Sequence, residues 1–154
     1  MMRYWLMKSE PDAFSIDDLE RVKNEPWTGV RNYQARNYMW KEMAVGDGVL
    51  FYHSNAKIPG IAGLAKVASA AYPDPTQFDP ESDYWDPKAS VDKPRWYLVD
   101  VGFERKLKAV ITLETLKANA GKLGDFVLLN RGTRLSVLPV GKTQWQTILK
   151  LEPK

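Results

Sequence analysis

The chain has 154 residues, of which 44% are hydrophobic, 27% charged and 12% aromatic, and a formal net charge of +3. That length fits one domain spanning residues 1–154, and the apolar fraction is enough for a packed core. Cysteine is absent and His53 is the single histidine, which excludes disulfide staples, thiol nucleophiles, Cys-ligated zinc and a His-rich metal centre. No early apolar run has the length of a signal peptide and no later one approaches a membrane span. The expectation is therefore a soluble, cytoplasmic domain with no metal, no cofactor and no membrane partner.

Taken in chain order, residues 3–8 (RYWLMK) form a short aromatic-rich run that stops at Ser9-Glu10-Pro11, the pattern of a strand leaving into a turn. Ser15-Ile16-Asp17-Asp18 fits a capping box, and Leu19 and Val22 give the helix it opens an apolar face. Pro26-Trp27-Thr28-Gly29 reads as a loop. Over 32–43 the spacing of Tyr33, Ala35, Tyr38, Met39 and Met43 predicts a second helix, ended by Val45-Gly46-Asp47-Gly48.

Residues 49–53 (VLFYH) are dense in β-branched and aromatic types and predict a buried strand. A second strand is expected over 61–71, with Gly63 marking a bulge or a close backbone approach. The link between them is too short for a crossover helix, so they should pair antiparallel. Residues 72–95 form a long insertion with five prolines, expected to be irregular and either functional or mobile. Further expectations are a strand over 96–104, a helix over 112–119 closed by Gly121, a short turn in 124–130 and a strand over 135–140. A last helix should be opened by a capping box at Thr143-Gln144-Trp145-Gln146. The sum is an α+β domain: a curved, mostly antiparallel sheet closed, or nearly closed, into a small barrel that hides its edges, flanked by short helices.

Charge is unevenly placed. Residues 72–92 hold six acids and one lysine, whereas 93–154 hold 12 basic and five acidic groups. One positive face and one negative, largely solvated loop follow, and a phosphate-bearing partner is permitted.

Enzymatic motifs are missing. No serine sits in a Gly-x-Ser-x-Gly elbow, no glycine-rich phosphate loop opens a helix, and a lone His53 at a strand end is more often structural than catalytic. The aromatic residues carry more information. Six tryptophans and seven tyrosines are present, most of them expected in the core. Trp27, in a Pro/Gly loop, is balanced between core and site. Stacking faces beside fixed donors and acceptors such as Ser54 and Asn55 suit a planar heterocycle. Arg31 and Arg36, at the start of the second helix, are candidate phosphate contacts.

Several blocks closely resemble the EVE domain family of the PUA-like superfamily. They are residues 4–11 (YWLMKSEP), 27–37 (WTGVRNYQARN) and 50–55 (LFYHSN), followed in the same order by Ile61-Ala62-Gly63, Pro94-Arg95-Trp96 and residues 135–140 (LSVLPV). The resemblance implies a PUA-like pseudo-barrel with a surface pocket for a modified base. It carries site roles to Lys8, Ser9, Trp27, Val30, Asn32, Tyr33, Phe51, His53, Ser54 and Asn55, and with less support to Arg131 and Ser136. Trp27 would stack on the base, while Ser9, Asn32, Ser54 or Asn55 would read its edge. The expected function is a monomeric, non-catalytic binder of nucleic acid, DNA or RNA, that holds a modified, flipped-out base. A nucleotide or small-metabolite sensor is the alternative, and an enzyme using His53 as acid–base a distant third.

Overall fold

The structure, a computed structural model, describes residues 2–153. Its strands are β1 (Tyr4–Ser9), β2 (Asn24–Pro26), β3 (Gly48–His53), β4 (Gly60–Val67), β5 (Tyr72–Pro73), β6 (Tyr97–Leu98), β7 (Asp100–Thr112) and β8 (Val137–Val140). The α-helices are α1 (Ile16–Val22), α2 (Tyr33–Asn37), α3 (Leu113–Ala118), α4 (Ala120–Leu123) and α5 (Lys142–Leu149).

Six strands form one sheet in the order β2-β7-β4-β3-β1-β8. β3 and β4 pair antiparallel, as their short link requires. β1 lies parallel to β3, from Tyr4 opposite Gly48 to Ser9 opposite His53, and every other pair in the sheet is antiparallel. The run 49–53 shows no polar alternation because helices cover both faces of the sheet. Met7, Val49 and Phe51 pack with Ile16, Leu19 and Met39 on one side. Leu6, Leu50 and Tyr52 pack with Leu116, Leu123 and Ile148 on the other. Successive side chains of a strand thus feed two separate cores.

The sheet curls into a half-barrel and does not close. Its edges are β2 and β8, three and four residues long, and each contains a proline. Short, proline-bearing edges resist pairing with another chain, which removes the need for closure. The sequence places Asn24 near the end of a helix and Pro26 in a loop, but Asn24–Pro26 pairs with Asp100–Gly102 as an edge strand.

Gly63 serves both expected purposes. The β4–β7 register shifts beside it, and a Cβ at this position would lie 2.4 Å from Ile16 Cδ1. β4 ends at Val67, short of residue 71, and β7 runs well past Glu104. In β7 the charged stretch Glu104-Arg105-Lys106 is solvent-facing, yet its backbone still pairs with Gly63 and Leu64.

Three helix starts rest on side-chain acceptors. Ser15 and Asp18 form the expected reciprocal box on α1, Asn32 Oδ1 accepts Ala35 N–H at 3.0 Å, and Thr112 Oγ1 accepts Thr115 N–H at 3.0 Å. α2 continues into a π-turn, Tyr38–Glu42. α5 begins earlier than expected, with Gly141 at its N-cap donating its N–H to Gln144 Oε1 at 2.8 Å.

The acidic insertion is not merely solvated. Asp74 and Gln77 are buried. Gln77 accepts the Arg95 and Trp96 N–H groups and donates to the Asp74 and Trp96 carbonyls. Asp86 accepts the Trp96 indole N–H at 2.7 Å. Residues 72–95 therefore form an ordered strap tied at several points.

Candidate nucleic-acid interface

The open seam between the sheet's two edges holds a cavity of about 510 Å3. One wall is the exit of β1, Lys8 to Glu10, with Ser54 just past β3 and Ser136 just before β8. Lys8 N–H donates to Ser136 O at 2.8 Å and Ser54 N–H to Ser9 O at 3.0 Å, so these three segments are locked together. The opposite wall is the chain leaving β2, from Pro26 to Arg31.

Trp27 belongs to both readings offered by the sequence. It is 8% exposed and packs in the core, and it also lines the cavity. Phe51 and Phe14 meet it edge to face, at centroid distances of 5.7 and 6.5 Å, which holds the indole in one orientation. Beyond it, Gly29 takes a left-handed φ of +87° and lies under the Tyr84 ring, where a Cβ would come within 2.6 Å of the ring. Tyr84 is thereby delivered by the strap to the cavity rim.

Lys8, Ser9, Trp27, Val30, Arg31, Ser54 and Ser136 come together at this cavity. The other candidates lie elsewhere. Phe51 is fully buried behind Trp27. Asn32 caps α2, and Tyr33 stacks on Trp96 at 4.9 Å. Asn55 stands one residue beyond the lining, with a left-handed φ of +48°, and donates to Glu10 Oε1 at 2.7 Å. Arg131 is exposed outside the cavity, whereas Arg134 lines it.

His53 Nε2 accepts the N–H of Ile16 at 3.1 Å, satisfying one of the orphan donors at the start of α1. Burial pushes its pKa down, which favours the neutral ring that this bond needs.

Arg31 faces the cavity with its charge already matched. Its guanidinium donates to Tyr84 O at 2.7 and 3.1 Å, to Thr76 Oγ1 at 3.0 Å, to Val30 O at 3.0 Å and to Asp74 at 3.2 Å. Arg36 donates to Arg95 O at 2.7 Å and to Asn37, and sits 4.7 Å from the Tyr33 ring centroid. Arg31, in the loop before α2, and Arg36, within α2, are both expected as phosphate contacts but instead hold the strap.

Phe14, Glu25, Tyr84 and Arg134 line the cavity without having been expected there, and Glu10, expected only to offer backbone groups at the strand-to-turn corner, lines it too. Nothing in the strap marks Tyr84. Burial, with Asp100 and Asp18 nearby, raises the Glu25 pKa, and burial lowers that of Lys8. The cavity thus presents aromatic surface, hydroxyls and charges of both signs.

The EVE domain model matches residues 3–151. The chain belongs to the EVE domain family. Among EVE relatives, thymocyte nuclear protein 1 of Danio rerio is 46% identical, aligned over 96% of this chain and 71% of its own length. A crystal structure of a Pseudomonas syringae protein has a TM-score of 0.92 at 51% identity, covering 96% of this chain and 98% of the other. Human THYN1, solved in complex with 5-methylcytosine-containing DNA, has a TM-score of 0.89 at 42% identity, covering 99% and 98%. The curled six-stranded sheet and short helices match this EVE fold.

Proposed function

We propose that this EVE domain is a non-catalytic reader that holds a modified, flipped-out base of DNA or RNA in the seam cavity. The observation that carries the reading is the cavity itself. Its volume of about 510 Å3 falls within the roughly 300–1,000 Å3 usual for small-ligand sites, and it joins a rigidly held indole to hydroxyl and charged groups. The complex of human THYN1 with DNA containing 5-methylcytosine supports a nucleic-acid partner and makes 5-methylcytosine the first base to try. Absence of chemistry fits the engagement of His53 Nε2 with Ile16.

Extruding a base costs a few kcal/mol, least when it is unpaired. Stacking on Trp27 returns about 1–3 kcal/mol. Lys8 and Arg134 at the cavity add salt-dependent attraction for the backbone. Because the net charge is small, unmodified nucleic acid should bind weakly.

The test is fluorescence anisotropy with labelled DNA and RNA oligonucleotides, with cytosine or 5-methylcytosine at one position and the salt held fixed. The expected result is tighter binding of a methylated strand, with the preference reduced in Trp27→Phe, which keeps an aromatic core residue. Equal binding of methylated and plain strands would sink the reading.

A sensor of free nucleotides or small metabolites is the second reading, favoured by Tyr84, through which the strap forms part of the cavity wall. Binding of a free nucleoside as tightly as the oligonucleotide would put it first.

A further inference from the structure

Lys8 lies in β1 and Glu10 one residue past its end, and both line the cavity. An acceptor and a donor are thus presented to one cavity. Ser9, between them, turns its hydroxyl inward and donates to Phe14 O at 2.5 Å. Glu10 Oε1 accepts from Asn55 Nδ2 at 2.7 Å, and Asn55 takes a left-handed φ of +48°, a conformation asparagine adopts more readily than most side chains. Glu10 Oε2 and the Lys8 ammonium have no partner among the described residues.

Glu25, the other carboxylate at the cavity, has no such anchor among the described residues, and Asp100 and Asp18 lie close enough to disfavour its charge. A reading group must be held in place before the ligand arrives. Of the two, Glu10 is the one with a side-chain partner, Asn55.

A fixed carboxylate accepts hydrogen bonds and cannot donate them when ionised. It therefore matches a base that offers an exocyclic amino group and repels one that offers a carbonyl at the same place. Cytosine carries an N4 amino group where thymine carries O4. We propose that Glu10, positioned by Asn55, accepts the exocyclic amino group of the bound base and makes the cavity select 5-methylcytosine over thymine. This rests on the base-reading function proposed above.

Thymine is 5-methylated like 5-methylcytosine, so the two bases share methyl contacts and ring stacking and differ at the edge Glu10 would read. The experiment measures anisotropy with three single-stranded oligonucleotides that differ at one base: cytosine, 5-methylcytosine or thymine. Single strands remove any difference in pairing. Wild type should bind the 5-methylcytosine strand about 10- to 100-fold tighter than the thymine strand, the size of one hydrogen bond to a charged group. Glu10→Gln keeps an acceptor for Asn55 and adds a donor, and Glu10 is exposed, so the variant should fold. Its preference should fall to near unity or turn toward thymine.

Wild type binding both 5-methyl bases equally while still preferring 5-methylcytosine to cytosine would overturn the role of Glu10 and leave the reader intact. An unchanged preference in Glu10→Gln would overturn it as well. No discrimination between cytosine and 5-methylcytosine, or no binding to any strand, would overturn the reader and this assignment with it.

Discussion

Two groups of cations flank the same cavity and behave in opposite ways. On the strap side, Arg31, Arg36 and Arg95 are taken up internally: Arg31 by Asp74, Thr76 and Tyr84, Arg36 by Arg95 O and Asn37, and Arg95 by Asp86 and the Tyr33 hydroxyl. On the β1–β8 side, Lys8 and Arg134 line the cavity and form no ion pair among the described residues. The first group ties the strap down, with Arg31 reaching the cavity, and the second stands at the cavity without an internal ion pair among the described residues. A basic residue near a pocket is a phosphate contact only if the fold has not already neutralised it.

The sharpest way to break this division is Asp74→Ala. Asp74 is 1% exposed and accepts from Gly29 N–H at 2.9 Å, from Arg31 and from Thr76. Removing it strands several donors and one partly buried charge, so stability should drop by about 3 kcal/mol, read as a lower urea midpoint. A drop under about 0.5 kcal/mol would mean that the strap is not anchored there.

Gly29→Ala comes next. It forces a left-handed conformation on a side chain that would collide with Tyr84. A loss of about 2 kcal/mol is expected, partly recovered when Tyr84→Ala is added, because the steric part of the strain is then relieved. Absence of recovery in thermal melts would show that Tyr84 does not press on this loop.

Arg134→Ala and Arg31→Ala sharpen the contrast as a pair. Arg134→Ala should leave the melting temperature unchanged, weaken methylated and plain strands alike, and lower the salt slope of binding by about one. Arg31→Ala should lower stability instead. The same effect from both variants would erase the distinction.

The smallest effect is one of pH. The folded pKa of His53 lies below its ordinary value because of burial, so the unfolded chain binds its proton more readily. Stability contributed by this group is complete above the unfolded value of about 6.5, and it is lost as pH falls from there through the folded pKa. Melting temperatures taken from pH 7.5 down to 5 should therefore fall less steeply in His53→Gln. Identical slopes would remove His53 from the acid response.

Much of the fold was legible where local chemistry decides it. The Ser15/Asp18 box, the strand 49–53 and the bulge at Gly63 each follow from residues close in sequence. β2 was not legible, because Asn24-Glu25-Pro26 becomes a strand only when Asp100–Gly102 lies beside it. The continuation of β7 past Glu104 was hidden for a similar reason, since its charged face is strand only by pairing with β4.

The site divides along the same line. Lys8, Ser9, Trp27, Val30, Ser54 and Ser136 could be named from their blocks, and the cavity brings them together. Which cations are free, that Tyr84 arrives from a strap more than 50 residues away from Gly29, and that Asn55 holds Glu10 were settled by contacts distant in the chain. By itself the sequence determined the α+β class, the family and the residue types available to the site, because short-range steric and hydrogen-bonding preferences act within a few residues. The tertiary structure alone decided the open seam and the pairing of each charge, because burial and neutralisation depend on groups that meet only when the chain folds.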